Sequence, residues 1–227
     1  MNRKINIAID GPSGAGKSTL AKAVAKKCGI IYVDTGALYR SIGLYAQRKG
    51  VKLDSITDVT GLLAEIDLKL VYENGAQQVI LNGENVGDKI RTPEISMYAS
   101  AVSAVPEVRE FLLGLQKDMA ANNSVIMDGR DIGTVILPNA DVKIFLTASI
   151  EARAKRRYAE LIAKGVTVSY EDVLSDMKLR DENDSTRSIA PAIPAADAIM
   201  FDNSYDDIDT TVTKIYKIIE EKLGYAL

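Results

Sequence analysis

Residues 11–18 read Gly-Pro-Ser-Gly-Ala-Gly-Lys-Ser, the pattern G-x-x-x-x-G-K-S. An apolar run, Ile5-Asn6-Ile7-Ala8-Ile9, precedes it, and a helical pattern, Thr19 to Lys27, follows. A phosphate-binding loop requires this strand–loop–helix order. Glycines let successive backbone N–H groups curl around an anion, and the following helix adds the positive end of its dipole. Gly11, Pro12, Ser13, Gly14, Ala15, Gly16, Lys17, Ser18 and Thr19 are therefore expected to cradle a nucleoside triphosphate. Lys17 would reach its β- and γ-phosphates, and the Ser18 hydroxyl would ligate Mg²⁺.

The rest of the chain alternates between short buried-type strands and helices. Strands are expected at 4–10, 30–34, 124–128, 142–146 and 198–202, and helices at 17–28, from Asp34 to about Lys49, 92–105, 106–122, 149–163, 170–181 and 208–223. Residues 55–66 also look helical. This order argues an α/β fold, a parallel sheet with helices on both faces. Ligands of such sheets bind at the carboxyl ends of the strands, where Asp34, Asp128 and the loop 10–16 fall. The texture changes at 66–90. Leu68–Tyr72, Gln78–Leu81 and Glu84–Val86 are separated by Glu73-Asn74-Gly75 and Asn82-Gly83, so a small antiparallel three-stranded insertion is expected.

Bulk properties narrow the chemistry. The 227 residues suit a single domain with room for an insertion. A net charge of −3, from 28 basic and 31 acidic residues, argues against a nucleic-acid partner. With no histidine, histidine triads and histidine metal sites are excluded. The single cysteine, Cys28, excludes an internal disulfide and a cysteine zinc cluster, and it reads as a small, partly buried hydrophobe. No apolar run approaches the roughly 20 residues of a membrane span, and Met1 to Lys4 lead straight into the first strand. The chain reads as cytoplasmic, without a membrane partner, and nothing in it demands more than a monomer.

Three further constellations carry charge where ligands would lie. Asp34-Thr35-Gly36 with Tyr39 and Arg40 is either a second anion site or a helix N-cap followed by an exposed arginine. Asp128-Gly129-Arg130-Asp131 ends a strand. Asp128 there suits the Mg²⁺ shell, although a turn with a local ion pair is the plainer alternative. Residues 151–187 hold eight basic and eight acidic side chains. Most fit a solvated, ion-paired hairpin, but Arg153, Arg157 and Arg180 could close over a triphosphate and exclude water. The loop Asn183–Pro194 reads as mobile.

Together these stretches resemble the bacterial cytidylate kinase family. The matches are IDGPSGAGKST (9–19), DTGALYR (34–40), IRTPE (90–94), VPEVRE (105–110), DGRDIGTVI (128–136), KIFLTAS (143–149), RAKRR (153–157), LRDENDSTR (179–187) and PAADAI (194–199). Adenylate and shikimate kinases share the first motif but not this set. Asp54–Ile66 and the last twenty residues match loosely. The resemblance implies a nucleoside monophosphate kinase that moves the γ-phosphoryl group of ATP to CMP or dCMP. It implies a monophosphate-binding part at 35–109, containing the insertion, and a lid at 150–190. Thr35, Arg40 and Arg130 would hold the monophosphate, with Tyr39 in the same motif. Ser100, Arg109 and Asp131 would read the base, Arg180 and Asp184 the ribose, and Arg187 would lie near the monophosphate nucleotide. Lys17, Arg130, Arg153, Arg157 and Arg180 would carry the transfer.

The base assignment agrees with cytosine's chemistry: a carboxylate accepts from its amino group and an arginine donates to its acceptors. Uracil inverts that pattern, and two buried mismatches at roughly 1–3 kcal/mol each imply about a hundredfold discrimination. Kinases for other small acceptors, such as UMP, shikimate or dephospho-coenzyme A, share the first motif. A GTPase-type switch would need N-K-x-D, which the chain lacks.

Overall fold

In the computed structural model, residues 4–73 and 76–224 are described. They form two compact units, one of residues 4–32 with 123–224 and one of Val33–Asn122.

The first unit is built on a five-stranded sheet in the order β2-β6-β1-β7-β8. Its strands are β1 (Asn6–Asp10), β2 (Ile31–Asp34), β6 (Val125–Gly129), β7 (Val142–Thr147) and β8 (Ile199–Asp202), and β2 leads into the second unit. β1 pairs in parallel with β6 on one side and β7 on the other. β7 also pairs in parallel with β8. The chain therefore reverses its winding at β1, and the crevice beyond its carboxyl end is where such sheets bind ligands. Leu20 and Val24 of α1 (Lys17–Cys28) and Ile215 and Ile219 of α7 (Ile208–Leu223) are fully buried with Ile7, Ile9 and Ile144 of the sheet. Cys28 packs partly buried against that core, as expected, and burial pushes its thiol up to about 11.

A helical hairpin, α5 (Ile150–Ala163) and α6 (Tyr170–Thr186), packs around Ala154, Leu161, Val173 and Met177. Ser149 and Ser169 cap its helices by accepting from the N–H groups of Ala152 and Asp172. α6 runs five residues past its expected end. Residues 183–186, expected to begin a mobile loop, are helical because Asp184 is buried and ion-paired with Arg130.

In the second unit, the buried residues of α2 (Thr35–Arg48), α3 (Pro93–Val102) and α4 (Pro106–Asn122) share one core with β3 (Leu68–Glu73) and β4 (Ala76–Leu81). The insertion is antiparallel in the order β3-β4-β5, with β5 at Glu84–Asn85. Asn82 at φ 48° and Gly83 at φ 83° make the primed turn that this dipeptide favours. The turn expected at Glu73-Asn74-Gly75 rests on residues 74–75, outside the described residues. Residues Leu53–Glu65 form 3₁₀ turns rather than a regular α-helix. Ser55, at φ −121° and ψ 32°, breaks the helical path there, and Val59 is the residue this segment buries.

Candidate functional site

The loop 11–16 leaves the carboxyl end of β1. Gly11 has φ 145°, and a Cβ there would lie 1.9 Å from the Leu146 carbonyl oxygen, so β7 passes too close for any side chain. Lys17 opens α1 and is buried. Its Nζ donates to the Pro12 carbonyl at 2.7 Å, which curls the side chain back over the loop. Burial first, and then the nearby charges of Arg130 and Arg180, push its ammonium well below the usual lysine range, against the opposing pull of Asp128 and Asp10. Cations gathered at this density favour a polyanion.

Asp128, at the end of β6, is buried. Its Oδ2 accepts from the Ser18 hydroxyl at 2.7 Å and its Oδ1 from Tyr32 Oη at 2.9 Å. A hydroxyl and a carboxylate side by side are the hard oxygen donors that Mg²⁺ takes, usually completed by water and substrate phosphates. No group of three acidic, cysteine or histidine side chains arranged to hold a metal ion exists among the described residues. The donors therefore suit a metal that arrives with a nucleotide better than a resident protein cage.

Arg130, Asp131, Arg180, Asp184 and Arg187 come together as one charged network. Arg130 Nε donates to Asp184 Oδ2 at 2.9 Å. Arg180 Nε and Arg187 NH1 lie 3.9 Å from the two Asp184 oxygens, and Arg187 NH2 lies 3.7 Å from Asp131 Oδ1. Burial opposes ionisation of Asp184, yet the three guanidinium groups outweigh it and hold the carboxyl below the usual range. Arg130 thus forms an ion pair with α6, and its NH1 also donates to Gly129 O at 3.4 Å.

The expected lid arginines separate. Arg153 is buried against the phosphate loop: Nε donates to Ala148 O at 2.9 Å, and NH1 donates to Ser13 O at 3.0 Å and to Asp181 Oδ2. Arg180 NH1 reaches the Ser13 hydroxyl at 3.3 Å. Arg157 instead pairs with Glu160, one turn along its own helix.

Within the second unit, Asp34 caps α2 by accepting from Ala37 N–H at 2.9 Å, and its other oxygen accepts from Arg40 NH2 at 2.8 Å. Both readings of this motif hold in part: the cap is present, and the arginine is held beside it with its Nε buried and without a hydrogen-bond partner. Thr35 is buried at the same helix start. Arg109 is buried on α4, donates to Ser103 O at 3.0 Å, and lies 5.5 Å from the Tyr39 ring. Ser103 in turn donates to the Ser100 carbonyl at 2.7 Å.

Several supporting residues were assigned no role from the sequence. Asp10 accepts from the backbone of Ile132 and Gly133. Asn203, after β8, donates to Ala15 O at 3.0 Å and is itself held by Arg156. Arg91 lies 3.7 Å from Asp34. The IRTPE stretch contains Arg91, and that match was the one available pointer to it.

Comparison with known proteins shows the family. The family model described as cytidylate kinase matches residues 7–221. The chain is 49% identical over 222 residues to a cytidylate kinase of Caldicellulosiruptor saccharolyticus, covering 98% of each. It is 50% identical over 216 residues to a cytidylate kinase of Fervidobacterium nodosum, covering 95% of this chain and 96% of that one. Among solved structures, an uncharacterised protein from Eubacterium ventriosum has the same fold, with a TM-score of 0.52 and 16% identity over 96% of this chain and 99% of that one.

Proposed function

Because the chain belongs to the cytidylate kinase family, we propose that it transfers the γ-phosphoryl group of ATP to CMP or dCMP, giving ADP and CDP or dCDP. The observation that carries the reading is the set of cations, Lys17, Arg130 and Arg180, gathered at the phosphate loop. Loop N–H groups and Lys17 bind the triphosphate, with Ala15 and Thr19 at its edges. Ser18 and Asp128 hold Mg²⁺, which supplies neutralising charge to the phosphates when bound.

An oxygen of the CMP phosphate attacks the γ-phosphorus, and the bond to the β,γ-bridging oxygen breaks, leaving ADP. That attacking oxygen is already anionic, so no general base is needed, which suits a chain without histidine. Arg130 and Arg180 offset charge on the moving group, Arg153 secures the loop through Ser13, and Arg157 joins them from α5. In the second unit, Thr35 and Arg40 take the monophosphate, with Tyr39 beside Arg109, while Ser100 and Arg109 face the base. In the first, Asp131 accepts from the cytosine amino group, Asp184 with Arg180 takes the ribose, and Arg187 lies near the monophosphate nucleotide.

We assign 35–109 as the monophosphate-binding part and 150–190 as the lid. The compactness of Val33–Asn122 and the span of the α5–α6 hairpin support these bounds. We further read the enzyme as a cytoplasmic monomer that acts on small nucleotides. Among the described residues, no helix is long and apolar enough to cross a membrane.

The test is ADP release from Mg·ATP with CMP, dCMP, UMP, AMP, shikimate or no acceptor. Turnover confined to CMP and dCMP, with UMP about a hundredfold slower below saturation, is the expected result. UMP within threefold of CMP would sink the base assignment, and acceptor-independent hydrolysis would sink the kinase reading.

A further inference from the structure

Two carbonyls of the phosphate loop are held from outside it. Ser13 O accepts from Arg153 NH1 at 3.0 Å, and Ala15 O accepts from Asn203 Nδ2 at 3.0 Å. In a trans peptide the C=O and the N–H that follows it point in opposite directions. Turning those two oxygens outward therefore turns the N–H groups of Gly14 and Gly16 the other way. Both glycines are left-handed, at φ 74° and φ 90°. Left-handed positions in a turn let backbone N–H groups converge on one concavity, the arrangement that binds phosphate.

Asn203 is buried, just past β8, and lies 188 positions from Ala15 in the chain. Its own N–H donates to Thr147 O at 2.9 Å, which ties its backbone to the end of β7. An amide side chain can offer a neighbour either an acceptor or a donor. Arg156 removes that choice, because a guanidinium only donates. Its NH1 donates to Asn203 Oδ1 at 3.1 Å and its NH2 to Asn203 O at 2.7 Å. With Oδ1 turned to Arg156, Nδ2 faces Ala15. Arg156 stands three residues beyond Arg153 on α5. One helix thus governs two carbonyls of the loop, the first directly and the second through Asn203.

We infer that Asn203 is a positioning residue for the triphosphate: it sets the Ala15–Gly16 peptide so that the Gly16 N–H faces the phosphates, and Arg156 keeps its amide turned to donate. Asn203 acts through Gly16, from behind the loop. It serves the phosphate chain and not the nucleoside. This inference rests on the reading of residues 11–19 as the ATP site.

The test compares wild type, Asn203→Ala, Arg156→Met and the double variant. The readouts are the KM values for ATP and CMP, the Ki of Mg·tripolyphosphate as a competitor of ATP, and Tm. Asn203→Ala releases the Ala15–Gly16 peptide. The ATP KM and the tripolyphosphate Ki should then rise together by about tenfold, the effect of one buried hydrogen bond, with the CMP KM within about twofold. Arg156→Met lets the amide turn and should raise the ATP KM about threefold. Added to Asn203→Ala it should raise the ATP KM no further, because Arg156 acts through Asn203. Arg156→Lys still donates to Oδ1 and should recover most of that loss. A lowered Tm with the ATP KM unchanged in Asn203→Ala would overturn the inference, since Asn203 would then hold the fold and not the loop. So would an ATP KM that rises while the tripolyphosphate Ki holds, which puts the effect at the nucleoside. Lys17→Ala separates the inference from the reading beneath it. Wild-type tripolyphosphate binding in Lys17→Ala would overturn the phosphate-loop reading and this inference with it. Weakened binding there beside unchanged binding in Asn203→Ala would overturn this inference alone. Should Asn203→Ala fail to fold, Arg156→Met carries the test, and a wild-type ATP KM in that variant would overturn the inference.

Discussion

Raising the pH should weaken this fold through Asp10. Burial is the largest influence on its carboxyl and pushes it from 3.8 up to about 6. The N–H groups of Gly133 and Ile132 pull it down, the charge of Asp131 raises it, and that of Lys17 lowers it. The folded protein therefore holds this proton more tightly than the unfolded chain does. The stabilisation from that proton is complete below pH 3.8 and is lost as the pH rises through about 6. At about 1.4 kcal/mol per pH unit the full amplitude is about 3 kcal/mol, of which about 2 kcal/mol falls between about pH 4.5 and about pH 7.5. Asp10→Asn cannot titrate, so subtracting its stability from that of the wild type cancels the other ionisable groups. Urea unfolding of both proteins across that range is the assay. Wild type minus variant should fall by about 2 kcal/mol as pH rises, or about 4–8 °C in Tm for a chain of this size. A flat difference, or one that grows with pH, would refute the reasoning.

Three further outcomes follow from the site. Lys17→Ala removes a buried ammonium repelled by Arg130 and Arg180, so Tm should hold or rise while kcat falls by about a thousandfold or more. An active, folded variant would end the assigned role. Gly11→Ala drives a methyl group into the Leu146 carbonyl from a left-handed backbone, and denaturant unfolding should show a loss on the order of 4 kcal/mol. Arg40→Ala leaves the Asp34 cap of α2 in place, so the CMP KM should rise more than about tenfold with the ATP KM and Tm nearly unchanged.

What could be read from the sequence was local. The phosphate loop was legible because its strand, glycines and helix are contiguous, and α1 begins at Lys17 as the motif requires. The insertion was legible because Asn82-Gly83 specifies its own turn. The extension of α6 through Thr186 was not, because Asp184 is held by Arg130, 54 positions earlier. The same limit hid Asp10, whose partners lie 122 and 123 positions away. It also hid the fastening of Arg153 to Ser13, across 140 positions. An arginine read as part of the lid over the triphosphate lies against a backbone carbonyl of the phosphate loop. The 3₁₀ turns at Leu53–Glu65 were missed for a different reason: their apolar spacing suits an α-helix, and that spacing carries no sign of the tighter turns or of the kink at Ser55.

The α5–α6 hairpin keeps a small apolar cluster of its own, and polar bonds from Arg153 and Arg180 fasten it to Ser13. A segment held in that way forms its own cooperative unit, one that opens at lower free energy than the sheet and without unfolding it. Its amides should exchange with solvent ahead of those of β1 and β7. A nucleotide phosphate that draws those guanidinium groups toward itself then changes the protection of the hairpin and leaves that of the strands untouched. Occupancy of the phosphate loop becomes readable at a distance, as the rate at which two surface helices breathe.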